Sequence, residues 1–97
     1  MERIDPITPG EILLDEFLIP LNITAYRLAK DIHVPATRLS QIIKGNRKIT
    51  ADTALRFSKY FGNSAEFWLG IQDEYDLRVE RRKIAAELAE IHQIRAS

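Results

Sequence analysis

The sequence predicts an all-α protein: five short helices built around a helix-turn-helix, followed by a C-terminal helical tail. Three observations predict it. Apolar residues recur at helical spacing in one segment after another, and strand-like alternation is poor. Thr8, Thr24, Thr50 and Ser64 each stand just ahead of such a segment, where a side-chain oxygen can satisfy the first free N–H groups. Two of the segments are parted by a break of about three to four residues, the spacing of a helix-turn-helix.

The first helix starts at Thr8-Pro9-Gly10-Glu11, with Thr as N-cap, Pro in the first turn and Glu three residues after the cap. Its expected buried face is Ile12, Leu13, Phe17 and Leu18, and Pro20 is expected to stop it. The second helix, about 25–32, places Ala25, Leu28, Ala29 and Ile32 on one side. Arg27, Lys30 and Asp31 fall on the other side. His33-Val34-Pro35 breaks the chain. A third helix, about 36–44, buries Leu39, Ile42 and Ile43, with Gly45 closing it. A fourth, after Thr50, is expected to turn Ala54, Leu55, Ser58 and Phe61 inward and to end at Gly62. The fifth follows Ser64 and carries Phe67, Trp68, Leu69, Ile71 and Tyr75. Residues 77–94 hold helix formers throughout, with a narrow stripe of Ile84, Leu88 and Ile91. That stripe either folds back on the core or serves a partner. The expected organisation is a helix-turn-helix domain over 1–76, with the motif itself at 24–45, and a helical tail over 77–97.

Composition narrows the function. The 97 residues are 45% hydrophobic and 29% charged, a balance with apolar material for one core. There is no cysteine, so disulfides and thiolate metal sites are excluded, in keeping with a reducing, cytoplasmic setting. No apolar run approaches the roughly 20 residues of a membrane span, and no signal peptide is expected. Formal net charge is zero, but it is unevenly spread. Residues 1–23 hold one base and five acids; residues 24–48 hold six bases against Asp31 alone; residues 49–76 hold two bases and five acids. A local basic island, not the whole-chain balance, is what a phosphate backbone feels.

The helix-turn-helix needs a small residue where its helices touch and apolar residues at fixed offsets. Ala29 is the small one; Leu28, Ile32, Val34, Leu39 and Ile42 are apolar at every offset. The turn often carries Gly because positive φ is wanted there, and His33 stands in its place. On the third helix Thr37, Gln41 and Lys44 lie opposite the apolar stripe, flanked by Arg38 and Ser40. These types suit DNA. Gln matches adenine bidentately, Arg matches guanine, and a Thr methyl meets a thymine methyl. Thr37 and Gln41 are the expected base readers, with Arg38 next; Lys44 suits a base or a phosphate. Arg27, Lys30, Arg47 and Lys48 are expected on phosphates. The competing reading of the same face is a merely solvated helix side.

The remaining features favour plain roles. Trp68 amid Phe67, Leu69 and Ile71 suits a core or a dimer contact rather than a ligand. Asp73, Glu74 and Asp76 lack the fixed loop of a metal site. His33 and His92 lie on different elements, and no phosphate loop or nucleophile elbow is present, so neither a metal or other cofactor nor a catalytic centre is expected.

Residues 24–50 resemble the Cro/lambda-repressor type of helix-turn-helix, the XRE type. Pro9-Gly10-Glu11-Ile12-Leu13 and the run Phe17–Ile23 resemble the N-terminal signature of the HigA family of antitoxins. Glu66–Gln72 and Tyr75-Asp76-Leu77 resemble its C-terminal signature. The resemblance covers about residues 8–77 and leaves the tail undiagnosed. It implies a dimeric, operator-binding autorepressor, not an enzyme, that neutralises a RelE-like ribosome-dependent ribonuclease toxin. Two alternatives stay open: a free-standing repressor without a toxin, and an interaction adaptor that no longer binds DNA. A two-fold dimer would read a palindrome, and Phe67, Trp68, Ile71 and Tyr75 are the expected interface.

Overall fold

The computed structural model describes residues 5–95, and all regular structure among them is helical. Helix α1 begins at Pro9–Ile12, where the Thr8 hydroxyl accepts the Glu11 N–H at 3.1 Å. It continues as a π-helical stretch over Leu13–Leu18 and finishes in a turn over Ile19–Leu21. The expected stop at Pro20 is thus wrong. The wide π turn opens the spacing that a proline ring needs against the carbonyl four residues back, so the helix passes through Pro20. It ends one residue after Leu21, at Asn22, in the left-handed region with φ 55°.

Helix α2 spans Ala25–Asp31, α3 Ala36–Ile43, α4 Ala51–Phe61, α5 Ala65–Lys83 and α6 Ala85–Ala89. Thr24 and Ser64 cap as expected, accepting the N–H of Arg27 and Phe67 at 3.0 Å each. Thr50 is the N-cap of α4 by position but makes no side-chain bond there. Helix α5 crosses the expected boundary at residue 76 without interruption and breaks only at Ile84.

Leu13, Leu18, Leu28, Leu39, Ile42, Ile49, Phe57 and Trp68 form the centre, all essentially removed from solvent. The expected inward set of α4 needs correction. Thr53, Ala54 and Phe57 are buried, Phe61 is half-buried, and Leu55 is 62% exposed. Two helical stripes compete on α4, and the one carrying Phe57 faces the core because it removes more apolar area from water. An aromatic cluster closes that side: the Trp68 ring lies 4.8 Å from Phe17 and 4.9 Å from Phe57. The tail stripe does not fold back on this core. Ile84 is half-buried, while Leu88 and Ile91 are exposed. No helix among the described residues is long and apolar enough to cross a membrane.

Candidate nucleic-acid interface

The site is the α2–α3 pair and the loop after it. All six positions that the motif needs, Leu28, Ala29, Ile32, Val34, Leu39 and Ile42, are buried. The turn is closed by a Schellman arrangement: the His33 N–H donates to the Lys30 carbonyl at 3.3 Å and the Val34 N–H to that of Ala29 at 3.0 Å. His33 stands in for glycine at φ 62°. The exit of α3 repeats the device. Gly45, at φ 84°, donates to Ile42 and Asn46 donates to Gln41, at 3.0 and 2.8 Å.

Helix α3 is seated by an unusually close neighbour. A methyl group on Gly10 would overlap the Ile42 carbonyl oxygen and lie 2.8 Å from its carbon and from Ile43 Cα. Backbone therefore meets backbone between α1 and the end of α3, which only glycine permits.

The opposite face of α3 is open. Thr37, Gln41 and Lys44 are exposed on one side of the helix. Among the described residues, the Thr37 and Gln41 side chains make no hydrogen bond. The flanks are more committed. The Ser40 hydroxyl donates to the Thr37 carbonyl of its own helix at 3.1 Å. Arg38 Nη1 donates to Asp52 Oδ1 on α4 at 2.8 Å. Arg27 and Lys30 lie on the exposed side of α2, and Arg47 and Lys48 follow Gly45 in the loop.

Three carboxylates reach this basic region. Asp52 accepts from both Arg38 and Arg56, whose guanidiniums hold its carboxyl below the usual range, Arg56 first. Arg56 Nη1 also donates to the Ile32 carbonyl at 2.7 Å, satisfying the end of α2. Asp31 accepts the Tyr60 hydroxyl at 2.6 Å and pairs with Arg27 at 3.4 Å. The Tyr60 bond, then Arg27, lowers Asp31, and Asp31 raises the Tyr60 phenol. Asp76 pairs with Lys48 at 2.9 Å and raises its ammonium above the ordinary lysine value. Asp76 is in turn held by Gln72 Nε2 at 3.0 Å, and buried Gln72 accepts the Ile49 N–H at 2.9 Å. Arg56, Tyr60, Asp52 and Gln72 were not singled out by sequence reasoning. The bonds that bring them to the site, Arg38–Asp52, Ile49–Gln72, Ile32–Arg56 and Asp31–Tyr60, span 14 to 29 positions, although Asp52–Arg56 and Gln72–Asp76 are themselves four apart on one helix.

The expected interface residues separate. Trp68 is fully buried within the protomer, its indole N–H donating to Asn63 Oδ1 at 2.8 Å, so it is core and cannot touch a second copy. Phe67 is exposed, and Ile71 and Tyr75 are half-buried on the same helix. No cluster of His or carboxylates among the described residues could hold a metal.

Comparison with known proteins agrees with this geometry. The family model described as helix-turn-helix matches residues 14–68. Virulence-associated protein I of Dichelobacter nodosus is 49% identical over 73 residues, covering 75% of this chain and 68% of that protein. Antitoxin HigA-1 of Vibrio cholerae is 38% identical over 82 residues, covering 84% of this chain and 77% of that one. The solved structure of Pseudomonas aeruginosa antitoxin HigA with the higBA promoter superposes with a TM-score of 0.88 at 38% identity, over 93% of this chain and 99% of that chain. With the α2–α3 motif, its flanking signatures and the whole fold in agreement, the chain belongs to the helix-turn-helix family, in the branch of the HigA-type antitoxins.

Proposed function

We propose that this chain is a sequence-specific DNA-binding repressor, a regulator and not an enzyme, that lays α3 in the major groove of its operator. The observation that carries this reading is the outward face of α3, where Thr37 and Gln41 are exposed and unbonded on a helix whose other face is fixed in the core. Recognition helices approach base edges most closely near their N-terminal end, which favours Thr37, with Gln41 one turn on. Lys30, Lys44 and Arg47 supply phosphate contacts, with Arg27 and Lys48 at the edges. Arg38, tied to Asp52, and Ser40, turned to its own backbone, flank the readers. The solved structure of Pseudomonas aeruginosa antitoxin HigA with the higBA promoter supports the same use of the fold.

Two chains related by a two-fold axis would read a palindrome with half-sites about 34–36 Å apart. Exposed Phe67 and the half-buried Ile71 and Tyr75 beside it are the interface we assign. As a HigA-type antitoxin, the chain would repress its own operon and neutralise a RelE-like ribonuclease toxin encoded beside it in a type II module, acting in the cytoplasm. A dimeric mass in sedimentation at micromolar concentration, and a neutralising complex with the product of the adjacent reading frame, are the expected results. A monomer throughout, or no toxin frame, would leave a different repressor.

The central test is a paired titration of wild type and Gln41→Ala against operator and scrambled duplex at one salt concentration. Gln41→Ala should cost about 1–3 kcal/mol on the operator and almost nothing on scrambled DNA. Equal losses on both would demote Gln41 to a backbone contact, and no loss on either would remove it from the interface.

A further inference from the structure

The basic region repeats one motif three times. A cation of the island meets an aspartate, and a third residue from the scaffold holds that aspartate in place. Arg27 meets Asp31, held by Tyr60 of α4. Arg38 meets Asp52, held by Arg56 of α4. Lys48 meets Asp76, held by Gln72 of α5. The other three cations of the island, Lys30, Lys44 and Arg47, have no ion pair among the described residues.

We propose that Asp31, Asp52 and Asp76 are resident counter-ions of the DNA-binding surface: Asp31 and Asp76 take Arg27 and Lys48 out of the electrostatic count, and Asp52 offsets one of the two charges of the Arg38–Arg56 pair. The inference rests on the DNA-binding reading above. Its physical basis is ion bookkeeping. A free lysine or arginine that meets a phosphate releases a condensed counter-ion from DNA, and that release drives sequence-independent affinity. A cation already matched by a fixed carboxylate adds no net charge. If it swings to a phosphate, the aspartate left behind must recruit a mobile cation, and the release is cancelled. An isolated exposed pair would be too weak and mobile to count on. Here each carboxylate keeps a scaffold bond of 3.0 Å or less. Asp76 raises Lys48; Asp31 is lowered by the Tyr60 bond first and then by Arg27, and Asp52 by Arg56 first and then by Arg38, so the scaffold partners and the island cations both favour the charged carboxylates. The consequence is a surface that reads bases with α3 while holding random DNA loosely. That matters because non-specific sites vastly outnumber the operator.

The experiment compares the salt dependence of binding to operator and scrambled duplex, between 50 and 200 mM salt, for wild type, Asp76→Asn and the double variant Asp76→Asn/Lys48→Ala. Asparagine keeps an acceptor oxygen for Gln72, and an unchanged thermal midpoint confirms the fold. Asp76→Asn should tighten both duplexes and steepen the log–log salt slope by about one, or about a further threefold loss across that range. The double variant should return to the wild-type slope. Asp52→Asn should steepen the slope in the same way, as an independent case. An unchanged slope in both single variants, or a double variant as steep as Asp76→Asn, overturns the proposal. A wild type that binds neither duplex instead overturns the DNA-binding reading and takes this inference with it.

Discussion

The two halves of helix α5 live in opposite surroundings. From Ala65 to Gln72 the helix is built into the protein: Trp68 has no exposed surface, Gln72 is bonded to the loop of Ile49, and Ile71 and Leu69 are half-buried. From Leu77 to Lys83 most side chains are exposed, and Val79 and Arg82 line a shallow groove with Pro6 and Thr8. Leu77 is 49% exposed, and one of the side-chain pairs there is local, Arg78 with Glu74 at 2.8 Å. Such a pair contributes only about 0.2–0.5 kcal/mol. The first half is helical because tertiary packing fixes one face; the second follows from propensity and continuation. Beyond it, α6 is five residues long and has no buried residue. Stability and shape are therefore concentrated between Thr8 and Gln72, and the tail is a separate matter.

Mutations should separate the halves sharply. The largest effect belongs to Trp68→Ala. It empties the middle of the aromatic cluster and should destabilise by about 3–5 kcal/mol in denaturant unfolding. An unchanged midpoint would show that the cluster is not the centre of the body. Gly10→Ala comes next, at about 1–3 kcal/mol, because the added methyl must displace the backbone at the end of α3. Stability measured by thermal unfolding at the wild-type level would mean that α1 and α3 do not meet as closely as described. The smallest effect is expected in the tail: Leu88→Ala and Ile91→Ala should each stay within about 0.5 kcal/mol of wild type. A larger loss in the isolated protein would place these side chains in a buried setting and erase the contrast.

The same contrast governs what could be read from the sequence. Local signals did well where local physics decides. Thr8, Thr24 and Ser64 accept the N–H bonds of true caps, Gly45 and Gly62 close helices in left-handed conformation, and His33 takes the glycine-like turn. The outward exposure of Thr37, Gln41 and Lys44 followed from helical periodicity alone. Errors arose where two local signals conflict or where none exists. Pro20 reads as a stop, but a π turn absorbs it. On α4 the stripes of Leu55 and Phe57 are both periodic, and only the packed core decides between them. Trp68 could be core or contact, and the positions of Phe17 and Phe57 settle it. The carboxylates on Arg38 and Lys48 come from other helices, and no spacing rule connects positions 38 and 52, or 48 and 76.

Gly10 carries one more consequence. Because Gly10 sets the backbone of α1 against the backbone of α3, and the inner side chains of α3 lie in the core, its seating does not depend on what its outer residues are. Lettering on the outer face can be rewritten while the plate that bears it stays mounted. Substitutions at positions 37, 41 and 44 are thus free to drift or be selected without repacking anything, so relatives sharing this frame can diverge in what they recognise while remaining equally stable.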